Sequence, residues 1–299
     1  MRRSSFGGTF LIFTATLIWG IGVVALRAGM NYMGPFTLTA FRFLLGGAAA
    51  LGPALYYAKK RNTVPQKQRA SMLKVGVICG LILCLSVSLR QFGLYHSAVG
   101  RVSFITSLYV IVVPMAGLFF GRKIPKAVVI GIIISVVGMY FLGFSGGMTF
   151  NIGDIFALAA AFSFAAHILL IDRFARNYDT LTLVCIQAFM VGSITLVLAF
   201  IFESPQISSL INGLGYILYA GIMSSFVAHM LQIRAQRSTD PAVASILFSM
   251  EAVFATIVSW IALHEHLSPR EILGCALLLT AVIVSKSPLS LLKNRKRNE

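Results

Sequence analysis

Residues 10–30 read FLIFTATLIWGIGVVALRAGM, and Arg27 is the one charge among them. A run of this length and apolarity fits the roughly 20 residues that a helix needs to cross bilayer hydrocarbon. It is not a cleaved leader. It is too long, it lacks a small-x-small cleavage site before Arg27, and its pattern returns later in the chain. Nine further apolar stretches follow, at 36–58, 72–94, 102–120, 127–144, 155–171, 181–202, 210–233, 242–263 and 272–285. The last is short and needs Glu271 and Lys286 as its interfacial ends. Hydrophobic residues make up 58% of the chain and charged residues 11%, with a mean hydropathy of +0.86. A soluble domain carries roughly 25% charged residues. The expected fold is therefore an all-α integral membrane protein with ten transmembrane helices.

The second five stretches repeat the first five. Trp19–Arg27 (WGIGVVALR) aligns with Phe164–Asp172 (FAAHILLID), and at the same offset Arg42 in TAFRFLLGG falls on Gln187 in VCIQAFMVG. Further on, Gly121-Arg122-Lys123 falls on His264-Glu265-His266, and Gly131 on Gly274. The halves run over 10–144 and 153–286, joined by the glycine-rich Gly143-Phe144-Ser145-Gly146-Gly147-Met148. Five is odd, so a tandem five-span unit enters the membrane inverted the second time. Two inverted five-helix repeats around a central cavity form a transporter architecture, with the site near the midplane between the halves.

The net charge of +16 and pI of 10.2 invite a nucleic-acid reading, which the distribution rejects. Counted from a cytoplasmic N-terminus, 20 of the 25 basic residues fall on one side. They include Arg2, Arg3, the Lys59–Arg69 connection with its Pro65, Arg122, Lys123, Arg234, Arg237 and the tail Lys293-Asn294-Arg295-Lys296-Arg297. Arg27, Arg42, Arg90, Arg101 and Arg270 lie in spans or at outer ends. This is the positive-inside bias; it predicts both termini on the cytoplasmic side of a bacterial inner membrane. The tail also favours anionic lipid headgroups. The turn at His264-Glu265-His266 has lost the cations of its counterpart, as inversion requires. The four cysteines (Cys79, Cys84, Cys185 and Cys275) show no CxxC or Cys/His spacing and read as packing residues, not disulfides or metal ligands.

These residues carry a resemblance. WGIGVVALR, AFRF, GLYHSAVGRVSFITSLYVIVVP and GRKIPKAVVIG resemble the first repeat of EamA-type transporters in the drug/metabolite transporter superfamily. SMEAVFATIVSWIALHEHLSPREILGCALLLTAVIVS resembles the second. Ala252 stands where that family often has proline and His264 where it often has glycine, which reduces the kink expected after Glu251. The resemblance implies ten helices in two inverted repeats and carriage of small metabolites, often outward. It does not identify the substrate.

A carrier needs polar groups at membrane depth, where each ionisable side chain is a functional candidate. Glu251, amid Phe248, Met250, Val253 and Phe254, either meets a substrate ammonium group, exchanges a proton, or ties helices together. Arg42, two turns into its span, attracts a carboxylate, snorkels outward or locks an interhelical carbonyl. Gln187, its repeat partner, keeps hydrogen-bonding capacity without charge. Thr16, Trp19, Gly20 and Val23 share one helical face, as do Ser163, Phe164 and His167. Ser225, His229, Gln232 and Gln236 form a polar stripe at i, i+4, i+7 and i+11, which faces a cavity or another helix. His167 and His229 are candidate proton relays, with plain hydrogen bonding the simpler role. Trp19 offers a stacking surface or packing bulk. Ser103, Thr106, Ser107 and Pro114 share a face near Tyr109. Pro114 has no N–H and clashes with the carbonyl of Val110, so it is either a hinge or a static bend.

The leading function is a secondary active exporter of small metabolites such as amino acids, working by alternating access as a monomer or homodimer, with membrane lipid and protons as partners and no cofactor. No GxxxxGK(S/T) phosphate loop is present to bind a nucleotide. An intramembrane enzyme would show paired aspartates or an HExxH. Asp154, Asp172, Asp179 and Asp240 all sit at span ends, none beside another, and His264-Glu265-His266 is too compact to put both imidazoles on one helical face. A channel or lipid flippase is the third class, but no ring of like groups or carbonyl filter is evident.

Overall fold

The structure is a computed structural model that describes residues 6–60, 66–119, 121–143, 151–263 and 267–286. Arg2, Arg3, Arg61, Pro65, most of the glycine-rich joint, the His264–His266 turn and the basic tail lie outside the described residues. The described chain is helical throughout. The elements are α1 (Phe6–Gly29), α2 (Pro35–Lys60), α3 (Gln66–His96), α4 (Val99–Thr106), α5 (Tyr109–Phe119), α6 (Lys126–Gly143), α7 (Ile152–Phe174), α8 (Thr180–Phe202), α9 (Ile207–Asn212), α10 (Leu214–Leu218), a π-helix (Tyr219–Ala228), α11 (His229–Gln236), α12 (Pro241–Phe248), α13 (Met250–Leu263) and α14 (Pro269–Lys286). Among the described residues, nine helical stretches are long and apolar enough to cross a membrane. The remaining candidate, α14, has 18 residues but includes Arg270, Glu271 and Lys286.

Local chemistry sets the helix ends. Asn151 and Asp154 form a reciprocal capping box at the start of α7. Asp179 and Asp240 cap α8 and α12, the latter with Pro241 at the first helical position. Helix α2 has no local cap. Its free N–H groups are taken by Glu203, 166 residues later, which accepts from Phe36 N and Thr37 N at 2.7 Å each. An ionised acceptor at a helix N-terminus also meets the positive end of the helix dipole. After α5 the chain turns through Gly121, whose φ of +72° suits glycine.

Polarity is inverted relative to a soluble protein. Phe10, Leu55, Ile133, Phe162, Phe200 and Ile283 are exposed, while Arg42, Gln91, His167, Gln187, Gln232 and Gln236 are buried. That is the arrangement for a bundle in hydrocarbon, where apolar side chains gain by facing lipid and polar ones must find partners inside. The main helix neighbours are α2 with α8, α6 with α14, α3 with α7 and α8, α1 with α13 and the π-helix, and α5 with α12. Small residues permit these approaches. A Cβ on Gly138 would lie 3.0 Å from the Gly274 carbonyl oxygen, and one on Gly274 2.8 Å from that of Gly138, so α6 and α14 meet backbone to backbone.

Two spans are interrupted. The fourth breaks at Ser107 and Leu108, between α4 and α5, where the ladder shortens to three-residue steps: Val110 N to Ser107 O and Ile111 N to Leu108 O, both 2.9 Å. The ninth breaks at Ser249, between α12 and α13. In the alignment of halves that pairs Gly131 with Gly274, these breaks fall within two residues of each other. Pro114 lies inside α5, beyond the break itself.

Candidate functional site

A cavity of about 70 Å³ lies between the halves. It is walled by α1 (Trp19, Gly22, Val23), α2 (Arg42), α3 (Val87, Arg90, Gln91), the break of the fourth span (Ser103, Thr106, Ser107, Tyr109), α7 (Phe164, His167), the π-helix and α11 (Ser224, His229, Gln232), and the break of the ninth span (Phe248, Glu251, Ala252). Trp19, Arg42, Thr106, Tyr109, His167, His229 and Glu251, singled out from sequence as site residues, meet there, with Val23, Ser103, Ser107, Phe164 and Gln232 from the faces named with them. Gln187 does not reach the cavity. It stands behind His167, accepting from its Nε2 at 2.8 Å and donating to Leu183 O at 3.1 Å. Pro114 does not line the cavity either, sitting one turn further along α5.

The charged core is an ion pair that the sequence did not single out. Arg90 donates to Glu251, with side-chain exposures of 17% and 12%. Arg90 is one of five basic residues in spans or at outer ends, and a carboxylate at mid-span needs such a counter-ion. Arg42 does not snorkel outward. It is 4% exposed, donates to Ser225 Oγ at 3.1 Å and lies 4.4 Å over the Phe43 ring. No carboxylate pairs with it among the described residues. Ser225 belongs to the predicted polar stripe, which is buried along its length; at its far end Gln236 donates to Ile168 O at 3.1 Å.

The two histidines have assignable tautomers. An amide oxygen and a carbonyl oxygen only accept, so His167 donates through Nε2 to Gln187, and His229 through Nδ1 to Ser224 O at 3.0 Å. Trp19 Nε1 donates to the same Ser224 carbonyl at 3.2 Å, and its ring meets His229 edge-on at 5.3 Å. The π-helix carries this shared acceptor; π turns within α-helices concentrate at functional sites. Five buried polar atoms around the cavity have no hydrogen-bond partner: Arg42 Nε, Arg90 Nε, Gln91 Nε2, Ser103 Oγ and Thr106 Oγ1.

A larger vestibule of about 540 Å³ adjoins the cavity and shares Ser103 and Ala252 with it. It is lined by Arg27 and Asn31 at the end of α1, Arg101 at the start of α4, Trp260 near the end of α13 and Glu271 at the start of α14. Beside it, Arg101 Nε donates to Asp154 Oδ1 at 2.7 Å. At the opposite end of the bundle Arg122 pairs with Asp172 at 2.8 Å.

A multi-pass helical bundle with a polar, charge-bearing pocket at membrane depth is the build of a small-molecule transporter. The model of the EamA-like transporter family matches residues 6–144 and again 151–286. The chain belongs to that family. It is 30% identical to an uncharacterized transporter of Archaeoglobus fulgidus over 90% of this chain and 82% of that one. It is 22% identical to the uncharacterized transporter YoaV of Bacillus subtilis, covering 92% and 94%, and 24% identical to protein PecM of Dickeya dadantii, covering 69% and 70%. A solved crystal structure shares the fold with a TM-score of 0.75 at 22% identity, over 95% of this chain and 98% of that one.

Proposed function

We propose that the protein is a secondary active transporter that exports small metabolites such as amino acids across a bacterial cytoplasmic membrane by alternating access. The carrying observation is the Arg90–Glu251 pair at the interrupted ninth span, with Arg42 across the same cavity. Both signs of charge are thereby presented to a zwitterion at membrane depth. An ammonium group replaces Arg90 on Glu251 while a carboxylate meets a guanidinium, so substrate binding exchanges one set of ion pairs for another.

The reading takes α14 as a tenth span and the two halves as inverted repeats with both termini cytoplasmic. Its support is the pattern of the closest helix neighbours, which is kept when the halves are exchanged, together with the matching breaks in spans four and nine. In that orientation the vestibule opens outward, and the Arg122–Asp172 pair ties the cytoplasmic end. The inner cavity holds only a few water-sized groups, so loading needs its walls to move, and the interrupted spans are the places where they bend. Glu251 is also the carboxylate able to take up a proton in exchange for substrate.

The test has two arms. Exported metabolites are compared in cells with and without the protein, and identified compounds are followed in reconstituted vesicles across a pH gradient. Accumulation of an amino compound outside the cell, with saturable counterflow in vesicles, is expected. Glu251→Gln is expected to abolish flux or remove its pH dependence while the protein still reaches the membrane. Unchanged flux across pH in that variant, or a product covalently different from what was supplied, overturns the reading.

A further inference from the structure

The charges around the cavity do not cancel. Two guanidinium groups, Arg42 and Arg90, face it, against one carboxylate, Glu251, among the described residues. The two histidines each commit one ring N–H to a neutral oxygen and bring no negative charge to offset the guanidinium groups. The unpartnered atoms point the same way. Each of the five orphans around the cavity can donate a hydrogen bond, and three of them (Arg42 Nε, Arg90 Nε and Gln91 Nε2) can do nothing else. Buried donors left unmatched are costly, and native structures keep few of them. A cluster of them with an excess positive charge is built for a ligand rich in acceptors and carrying net negative charge.

Resting on the carrier reading above, we infer that the transported substrate is a small dicarboxylate bearing one ammonium group, the charge set of an acidic amino acid. Its ammonium group takes Glu251. One carboxylate takes Arg90, released from Glu251, and the second takes Arg42. Gln91, Ser103 and Thr106 donate to the remaining lone pairs. Every buried charge then has a partner of opposite sign, which neither a neutral zwitterion nor a plain dicarboxylate achieves.

The experiment measures exchange of L-aspartate, L-asparagine and succinate in vesicles reconstituted with the full chain. Asparagine is nearly isosteric with aspartate but lacks the second charge, and succinate lacks the ammonium group. Aspartate is expected to exceed each of the others in kcat/KM by about tenfold or more, the usual weight of one charged hydrogen bond. Arg42→Gln should lower the aspartate-to-asparagine ratio by about the same factor, and Arg42→Lys should restore most of it. Thermal unfolding in detergent checks that both variants are folded. Asparagine carried as well as aspartate, or a ratio unmoved in Arg42→Gln, overturns the inference and leaves the amino-acid carrier standing. Succinate equal to aspartate removes Glu251 from substrate recognition and overturns it likewise. Failure of all three compounds overturns the inference, and the export comparison described above then decides whether the carrier reading falls with it.

Discussion

Breaking the Arg90–Glu251 pair one side at a time should cost far more than removing it whole. The two side chains are 17% and 12% exposed, so most of their hydration is lost and each relies on the other. Removing one partner of a fully buried pair costs about 3–5 kcal/mol, because the survivor is left charged and unmatched. The residual exposure lowers that to about 2–4 kcal/mol for Arg90→Gln and for Glu251→Gln. The double variant Arg90→Gln/Glu251→Gln leaves two amides that can bond each other and no stranded charge. Its loss should be about 1 kcal/mol, giving a coupling energy of about 3 kcal/mol or more. Equilibrium unfolding in mixed micelles of increasing SDS content measures all four proteins. Transport should fall in all three variants, so stability rather than flux carries the test. A double variant whose loss equals the sum of the singles would refute the pairing.

Three further outcomes follow from the geometry. Pro114→Ala restores a backbone donor within α5 and should slow turnover about threefold or more, with little change in the half-saturating substrate concentration; equal turnover at saturation would rule out a hinge there. Glu203→Ala uncaps α2 from across the bundle and should cost about 1–2 kcal/mol of unfolding free energy, read in the same micelle titration. Cysteines introduced as Lys123→Cys and Glu265→Cys should react with an impermeant thiol reagent from opposite faces of the membrane, and labelling from one face would end the inverted arrangement.

Much of the fold was legible because hydrocarbon leaves a chain so few choices. Runs of apolar residues already define a multi-pass membrane bundle. The same logic put Trp19, Arg42, His167, His229 and Glu251 on the cavity, since polar groups on apolar helices have nowhere else to go. Arg90 did not stand out among the basic residues in spans or at outer ends, because its partner is 161 residues away and no local pattern links them. Gln187 was aligned with Arg42 and placed in the site, whereas one layer of packing separates it from the cavity and its amide holds His167 instead. The interruptions at Ser107 and Ser249 and the π-helix at Tyr219–Ala228 leave little mark in composition, because serine and alanine are also common inside regular helices. Proline drew attention to the fourth span, but the ladder opens nearly two turns earlier, at Ser107 and Leu108.

The clasp that Glu203 makes on the start of α2 has a mechanical consequence. Helices α2 and α8 come from different halves and lie against each other over much of their length, and that carboxylate pins their ends together. The result is an antiparallel spine across the two halves, held at one end by a single side chain.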